Sequence, residues 1–332
     1  MTIDLKTKNI KPKRRTFDHL AKKLGPDTNP SRYQEAVLGL QPIENQHYRP
    51  TWDPKFKLYD PERSAIRMED YDDLLDPRQH YYGTWTLKRG KQQETQERNF
   101  ELVEERQLFG LLKEEDKKLI AKLVVPSRHI SWAANTNNSY IAAYGFGAPV
   151  TSACAMHMMD HLGIAQYVSR IGLIVFDNDP SVLVDAKAEW MDAAIWQPFR
   201  KLVEDSMVCR DWFELFVLQN LLIDATLNPL IFDKFGADIA KRGGLAYVVL
   251  CEFMNAWFSE SSRWVDAVIG RVVSESEANK TIVQNWITLW NRIVQNAIAP
   301  LADNLFETGG VEINLQIQDD VSKRLSKVNL TL

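Results

Sequence analysis

Apolar positions recur at helical spacing through most of the chain, and they are densest in residues 205–231, DSMVCRDWFELFVLQNLLIDATLNPLI. Val208, Trp212, Phe213, Leu215, Phe216, Val217, Leu218, Leu221, Leu222, Ile223, Ala225 and Leu227 leave no side of a helix free of apolar residues. A helix apolar all round is a buried core element or a membrane span. Glu214, Gln219, Asn220 and Asp224 interrupt the run, so the roughly eighteen uninterrupted apolar residues of a span are missing. The pattern predicts the central helix of a large bundle, with carboxylates inside it and no membrane segment.

The same periodicity predicts helices over 93–122, 127–145, 149–176, 182–199, 232–240, 245–272 and 279–298. Asn228-Pro229 is expected to break or kink the central helix, and Pro300 to close the last one. After Gly309-Gly310 the period changes. Val311, Ile313, Leu315 and Ile317 alternate with polar residues, the signal of a strand. A lone strand is unstable by itself, so 307–332 is expected to be a loosely ordered tail.

Upstream of residue 93 the periodicity is lost. Residues 31–92 carry Pro42, Pro50, Pro54, Pro61 and Pro77 among Tyr48, Trp52, Tyr81, Tyr82 and Trp85. So long an irregular stretch is unusual inside a lone compact domain. It predicts a strap laid over a helical surface, its own or a neighbour's. Residues 1–30, with Lys6, Lys8, Lys11, Lys13, Arg14 and Arg15, read as a basic arm, either solvated or ordering on an acidic partner. The expected division is arm 1–30, strap 31–92, helical domain 93–306 and tail 307–332.

Composition adds limits. The 332 residues are 45% hydrophobic, enough for one large core. Lys+Arg 40 against Asp+Glu 44 gives no nucleic-acid footprint. Cys154, Cys209 and Cys251 form no CxxC pair and sit in apolar helical contexts, as buried thiols in a reducing compartment do. The first residues lack an apolar signal core, so a cytoplasmic protein is expected.

Carboxylates inside a helical bundle raise the question of a metal pair. A ferritin-like di-iron site takes a Glu from each of two helices and Glu-x-x-His from each of two more. No histidine on a predicted helix completes that motif: Cys154 stands three before His157, and Met158 three before His161. Glu260 leads to Arg263, which has no lone pair for a metal and predicts an i,i+3 ion pair. Glu214 and Asp224 are expected to pair with Arg or Lys. His157 and His161, one turn apart, read as a hydrogen-bonded core pair, with a zinc or haem site as the sharper alternative. A second alternative is a di-iron oxidase with unconventional ligands drawn from His157, Asp160, His161, Glu214 and Glu260. The chain carries no phosphate-binding loop and no nucleophile elbow.

RTFDHLAKKLG (15–25), SRYQEAV (31–37), NQHYRPTWDP (45–54), DPRQHYYG (76–83), QYVSRIGL (166–173), DWFELFVLQNL (211–221) and ESSRWVDA (260–267) resemble the β subunit of bacterial multicomponent monooxygenase hydroxylases, of the phenol hydroxylase kind. The resemblance spans about residues 14–305. It implies an all-α, ferritin-like bundle without its own metal or catalytic residues. It also implies an α subunit carrying a di-iron centre, a γ subunit, and a dimer of αβγ protomers. A regulatory protein and an NADH-dependent reductase with FAD and a 2Fe-2S cluster would complete the system, which hydroxylates phenol or a related aromatic. The strap then becomes a partner-wrapping segment, with Tyr48, Arg49, Trp52, Tyr81, Tyr82 and Trp85 as candidate interface residues.

Overall fold

The computed structural model describes residues 17–44 and 48–332; the basic run Lys6–Arg15 and residues 45–47 of the NQHYRPTWDP motif lie outside them. Among the described residues there are helices and no strands, the all-α, ferritin-like bundle expected. The long helices are α1 (Tyr82–Glu105), α2 (Arg128–Tyr144), α3 (Ala148–Val175), α4 (Ser181–Asp192), α5 (Gln197–Met207), α6 (Trp212–Ala240), α7 (Leu245–Glu275), α8 (Glu277–Leu305) and α9 (Gly310–Ser326).

The apolar run forms α6, which packs on α2, α7, α8 and α9. It is long and apolar enough to cross a membrane, but 94% of its apolar window is buried inside the bundle. Its limits differ from the expected 205–231. Residues 205–207 end α5, and Asp211 starts α6 by accepting the amides of Phe213 (2.9 Å) and Glu214 (3.1 Å). The same carboxylate takes the Ala65 amide at 2.6 Å, tying the strap to the helix start. Asp211→Ala removes the cap and that tie together, and should cost about 2 kcal/mol, read as a lowered urea midpoint.

Pro229 neither breaks nor ends the helix. The backbone widens into π turns over Val217–Ile223 and Pro229–Lys234, and a π turn absorbs the missing amide and the ring's bulk. Pro300 likewise lies inside α8, where burial of Leu301, Ala302 and Leu305 holds the last turn. The stretch expected as one helix at 182–199 is two, because residues 193–196 turn and Pro198 opens α5.

Two further expectations are corrected. The first long helix begins at Tyr82, eleven residues before 93, and its regular part ends at Glu105. Gly83, Thr84, Thr86 and Gly90, together with the charged Lys88, Arg89 and Lys91, leave its first turns without an apolar period. The tail is a helix, α9. Ile317, Val321 and Leu325 are buried at helical spacing, whereas Val311 and Leu315 of the apparent alternation face solvent. Gly309, in the left-handed region at φ 85°, makes the corner from α8.

The strap lies on its own bundle over much of its length. Ile66 and Leu74 are fully buried, and Asn279 of α8 bonds both the amide (3.0 Å) and the carbonyl (2.7 Å) of Arg67. Upstream, Leu20, Tyr33, Val37 and Leu38 form a small second core with Phe17 and Tyr81 packed on it.

Candidate functional site

Four helices and the strap bring polar side chains to one point inside the bundle. From α3, residues 157, 160 and 161 point inward, as i,i+3 and i,i+4 spacing requires. Asp224 arrives from α6, Glu260 and Trp257 from α7, Trp85, Lys88 and Arg89 from α1, and His80 from the strap.

The centre divides into two linked parts. In the first, the Arg89 guanidinium donates through Nε (2.7 Å) and Nη2 (2.7 Å) to the two oxygens of Asp160, and through Nη2 to Glu260 at 3.2 Å. The indoles of Trp85 (2.9 Å) and Trp257 (3.0 Å) also donate to Asp160. Lys88 donates to the other oxygen of Glu260, and His80 Nε2 lies 3.5 Å from that residue. Burial pushes both carboxyls up, yet Arg89 holds Asp160, and Lys88 with Arg89 holds Glu260, below the usual carboxylate range. Both acids are therefore ionised and paired.

In the second part, His161 Nε2 (3.1 Å) and His157 Nε2 (3.4 Å) meet one oxygen of Asp224, and the Gln219 amide donates to the other at 3.0 Å. The acceptor is a carboxylate, so each Nε2 carries the proton. Burial lowers the His157 pKa to about 4, which makes its ring neutral at pH 7. Against its own burial, Asp224 is held low by the two imidazoles. The His157 ring stacks on Trp257 at 5.0 Å and meets Trp264 edge-on at 5.1 Å. An amide ladder extends this part. Asn137 donates to Ser206 and Gln219, both at 2.9 Å, and Asn138 and Asn220 exchange bonds at 2.9 and 3.0 Å.

The donor set does not suit a carboxylate-bridged di-iron group. Of the buried acids, Asp160 and Glu260 are both neutralised by Arg89, whose guanidinium lies between them where a metal pair would need open oxygens. Among the described residues, that leaves Asp224 as the acid grouped with His157 and His161. His157, His161 and Asp224 bring three ligand atoms within 4.8 Å of one another. Each of these three ligand atoms already has a hydrogen-bond partner in the trio, while His157 Nδ1 is buried without one.

Several sequence expectations change here. Glu260 pairs with Lys88 and Arg89 rather than Arg263. Asp224 pairs with histidines and not with Arg or Lys. Glu214 stands apart from the centre. It accepts the Trp290 indole at 2.8 Å, and burial raises its pKa. The histidines form the hydrogen-bonded core pair that their spacing suggested. Arg89 and Lys88 were not anticipated, since they lie 71 and 172 residues from their partners in sequence.

The methane/phenol/alkene hydroxylase family model matches residues 52–276. The oxygenase component of phenol 2-monooxygenase from Pseudomonas sp. strain CF600 is 41% identical over 99% of this chain and 98% of that protein. The chain belongs to the methane/phenol/alkene hydroxylase family. This hydroxylase-family chain is also 36% identical to the phenol 2-monooxygenase oxygenase component of Acinetobacter pittii over 99% of its length and 98% of the other. It superposes on a chain of phenol hydroxylase from Pseudomonas sp. OX1 with a TM-score of 0.92, covering 99% of both at 41% identity. A chain of toluene 4-monooxygenase shares the fold at 20% identity, with a TM-score of 0.77 over 90% of this chain and 99% of that one. The hydroxylase-family chain is thus a hydroxylase-component subunit of the multicomponent monooxygenase superfamily.

The six candidate interface residues fall into two groups in this subunit. Tyr48, Trp52 (65% exposed) and Tyr82 (73% exposed) face outward, and the Trp52 indole donates to the Tyr144 hydroxyl at 3.1 Å. Tyr81, Trp85 and Arg49 make contacts within the chain: Tyr81 with the small second core, Trp85 with Asp160, and Arg49 with the carbonyls of Pro54 (3.1 Å) and Lys55 (2.6 Å). Tyr82 and Trp85 belong to α1 rather than to irregular strap.

Proposed function

We propose that this chain is the non-catalytic β subunit of a di-iron phenol or related aromatic hydroxylase. It scaffolds a di-iron α subunit within a dimer of αβγ protomers in the cytoplasm. A regulatory protein and an NADH-dependent reductase carrying FAD and a 2Fe-2S cluster complete the system. The observation that carries the reading is the Arg89 guanidinium between Asp160 and Glu260. It turns the bundle's buried acids into a structural ion cluster, with bonds across α1, α3 and α7. A toluene-4-monooxygenase relative from Ectopseudomonas mendocina, 22% identical over 85% of this chain and 88% of that protein, is named a hydroxylase subunit beta, which supports the same assignment. In this reading Tyr48, Trp52 and Tyr82 are outward-facing partner contacts, with Arg49, Tyr81 and Trp85 holding the segments that present them.

The rival reading, a di-iron oxidase using His157, Asp160, His161, Glu214 and Glu260, requires Arg89 and Lys88 to vacate the acids and Glu214 to leave Trp290. Iron analysis separates the two. The chain expressed alone should contain well under one iron per chain, and iron should appear with the α subunit. About two irons in the isolated chain would overturn the scaffold assignment.

A further inference from the structure

Glycine is the poorest helix residue after proline, so a glycine inside a helix needs a local reason. Gly172 of α3 and Gly270 of α7 have one: a Cβ would come within 2.7 Å of Val125 at the first and 3.0 Å of Val328 at the second. Gly90 of α1 and Gly163 of α3 have no such neighbour. A Cβ at either would meet nothing within 4 Å, and neither glycine has a positive φ. Both line one cleft, of about 330 Å³, that opens between α1 and α3. A side chain at either position would favour the helix and narrow the cleft.

Trp85, Met159, Tyr167 and Phe253 supply its apolar walls, with the Tyr167 and Phe253 rings edge-on at 5.2 Å. Such rings and a thioether favour an aromatic guest, met by its face or its edge. Ligand pockets run from about 300 to 1,000 Å³, so this small one suits a single ring. The polar groups that reach the cleft are committed within the chain. Asp160 accepts from Arg89, Trp85 and Trp257, and Arg89 also donates to Glu260 and, through Nη1, to Gln92 at 2.6 Å. The Tyr167 hydroxyl donates to Gln93, and that of Thr86 to the Tyr82 carbonyl at 2.6 Å. A charged guest would give up its hydration and find no free counter-ion there, whereas a neutral ring gives up little.

We infer that the α1–α3 cleft is a binding site for one neutral, single-ring aromatic molecule, kept open by Gly90 and Gly163 between walls of Trp85, Met159, Tyr167 and Phe253. Gly90 is exposed and marks the mouth, while the largely buried Tyr167 marks the floor. A bound ring lies against Trp85 and Arg89, the residues that hold Asp160, so occupancy stabilises the folded chain as any ligand of the native state does. The site goes beyond the scaffold function proposed above and does not depend on it.

The test titrates the full chain with fluorobenzene, followed by fluorine NMR, and with benzoate as the charged counterpart. Fluorobenzene should bind saturably, with a Kd on the order of 1 mM or tighter, and benzoate at least ~10-fold more weakly. Gly90→Leu and Gly163→Leu fill the cleft from opposite walls, and each should weaken fluorobenzene binding at least ~10-fold. Gly110→Leu, which adds the same side chain into open space outside the cleft, should bind as the wild type does. Both cleft variants should melt no lower than the wild type, because leucine is the better helix residue and its Cβ meets no neighbour. Should one of them fail to fold, the other, on the opposite helix, decides. Absence of saturable binding in the wild type, wild-type affinity in the folded cleft variants, or benzoate bound as tightly as fluorobenzene overturns the inference and leaves the scaffold function standing. Dimers of the wild-type chain that Gly163→Leu breaks apart would overturn it too, and assign the cleft to a second copy of the chain.

Discussion

Arg89→Leu is expected to destabilise the chain by about 3–5 kcal/mol, because it leaves Asp160 and Glu260 charged inside the bundle with their main counter-ion gone. The two acids are buried, and Lys88, itself partly exposed, reaches only Glu260. Asp160 keeps two indole donors but no cation. The size of the loss comes from desolvation and not from the Coulomb attraction alone. Removing the acids as well, in Arg89→Leu/Asp160→Asn/Glu260→Gln, should recover a large part of it. Urea titrations of the three chains check this. Equal stability of the single and triple variants would show that the cluster is not held by charge compensation. Lowering the pH should narrow the gap between Arg89→Leu and wild type, since protonation relieves the stranded acids.

The second large effect is on acid stability. His157 is buried neutral, with its pKa lowered by burial from 6.5 to about 4. The unfolded chain therefore takes up a proton on this residue at a pH where the folded chain does not. Its contribution is complete above pH 6.5, falls as the pH drops through that window, and is gone below about 4. The span corresponds to on the order of 3 kcal/mol. Asp224, Asp160 and Glu260 have lowered pKa values and act later, at more acidic pH, but in the same direction. Melting temperature should therefore fall steeply between pH 6.5 and 4. His157→Gln, less stable at pH 7, should show a shallower decline. A wild-type melting temperature flat across that range would contradict a buried neutral His157.

Much of this architecture is visible in the chain itself. The apolar sides of α6 and the one-turn spacing of His157 and His161 are one-dimensional signals, and each corresponds to what the fold displays. Contacts across long separations are different. Nothing near Arg89 in sequence marks it as the partner of Asp160, because a cation on a charged helix reads as a solvated one. The DPRQHYYG segment held a usable hint. Asp76 and His80 are buried, and the half-buried Arg78, its side chain only 5% exposed, pairs with Asp76 at 2.9 Å while lying 4.7 Å above the Trp264 ring. Three polar residues so close together in a loop need that burial to explain them. The strand-like tail misled for a physical reason. Four alternating apolar residues suit a strand, but Val321 and Leu325, further on, extend only the helical pattern.

The π turn at Val217–Ile223 sets the alignment of two helices. In a regular α-helix successive side chains point about 100° apart. Within the widened turn, neighbouring Gln219 and Asn220 reach neighbouring Asn137 and Asn138 on α2. Two consecutive amides on one rod thus engage two consecutive amides on another, like teeth of a vernier. Sliding α6 by one residue would strand several buried amide groups, each at about 1–3 kcal/mol. Slippery leucines and valines would hardly object to such a shift, so the amides fix the phase of the central helix. Removing a single residue from the π turn should leave a chain of almost the same composition, still collapsed and helical, whose two ends of α6 can no longer be in step with α2 and α7 together.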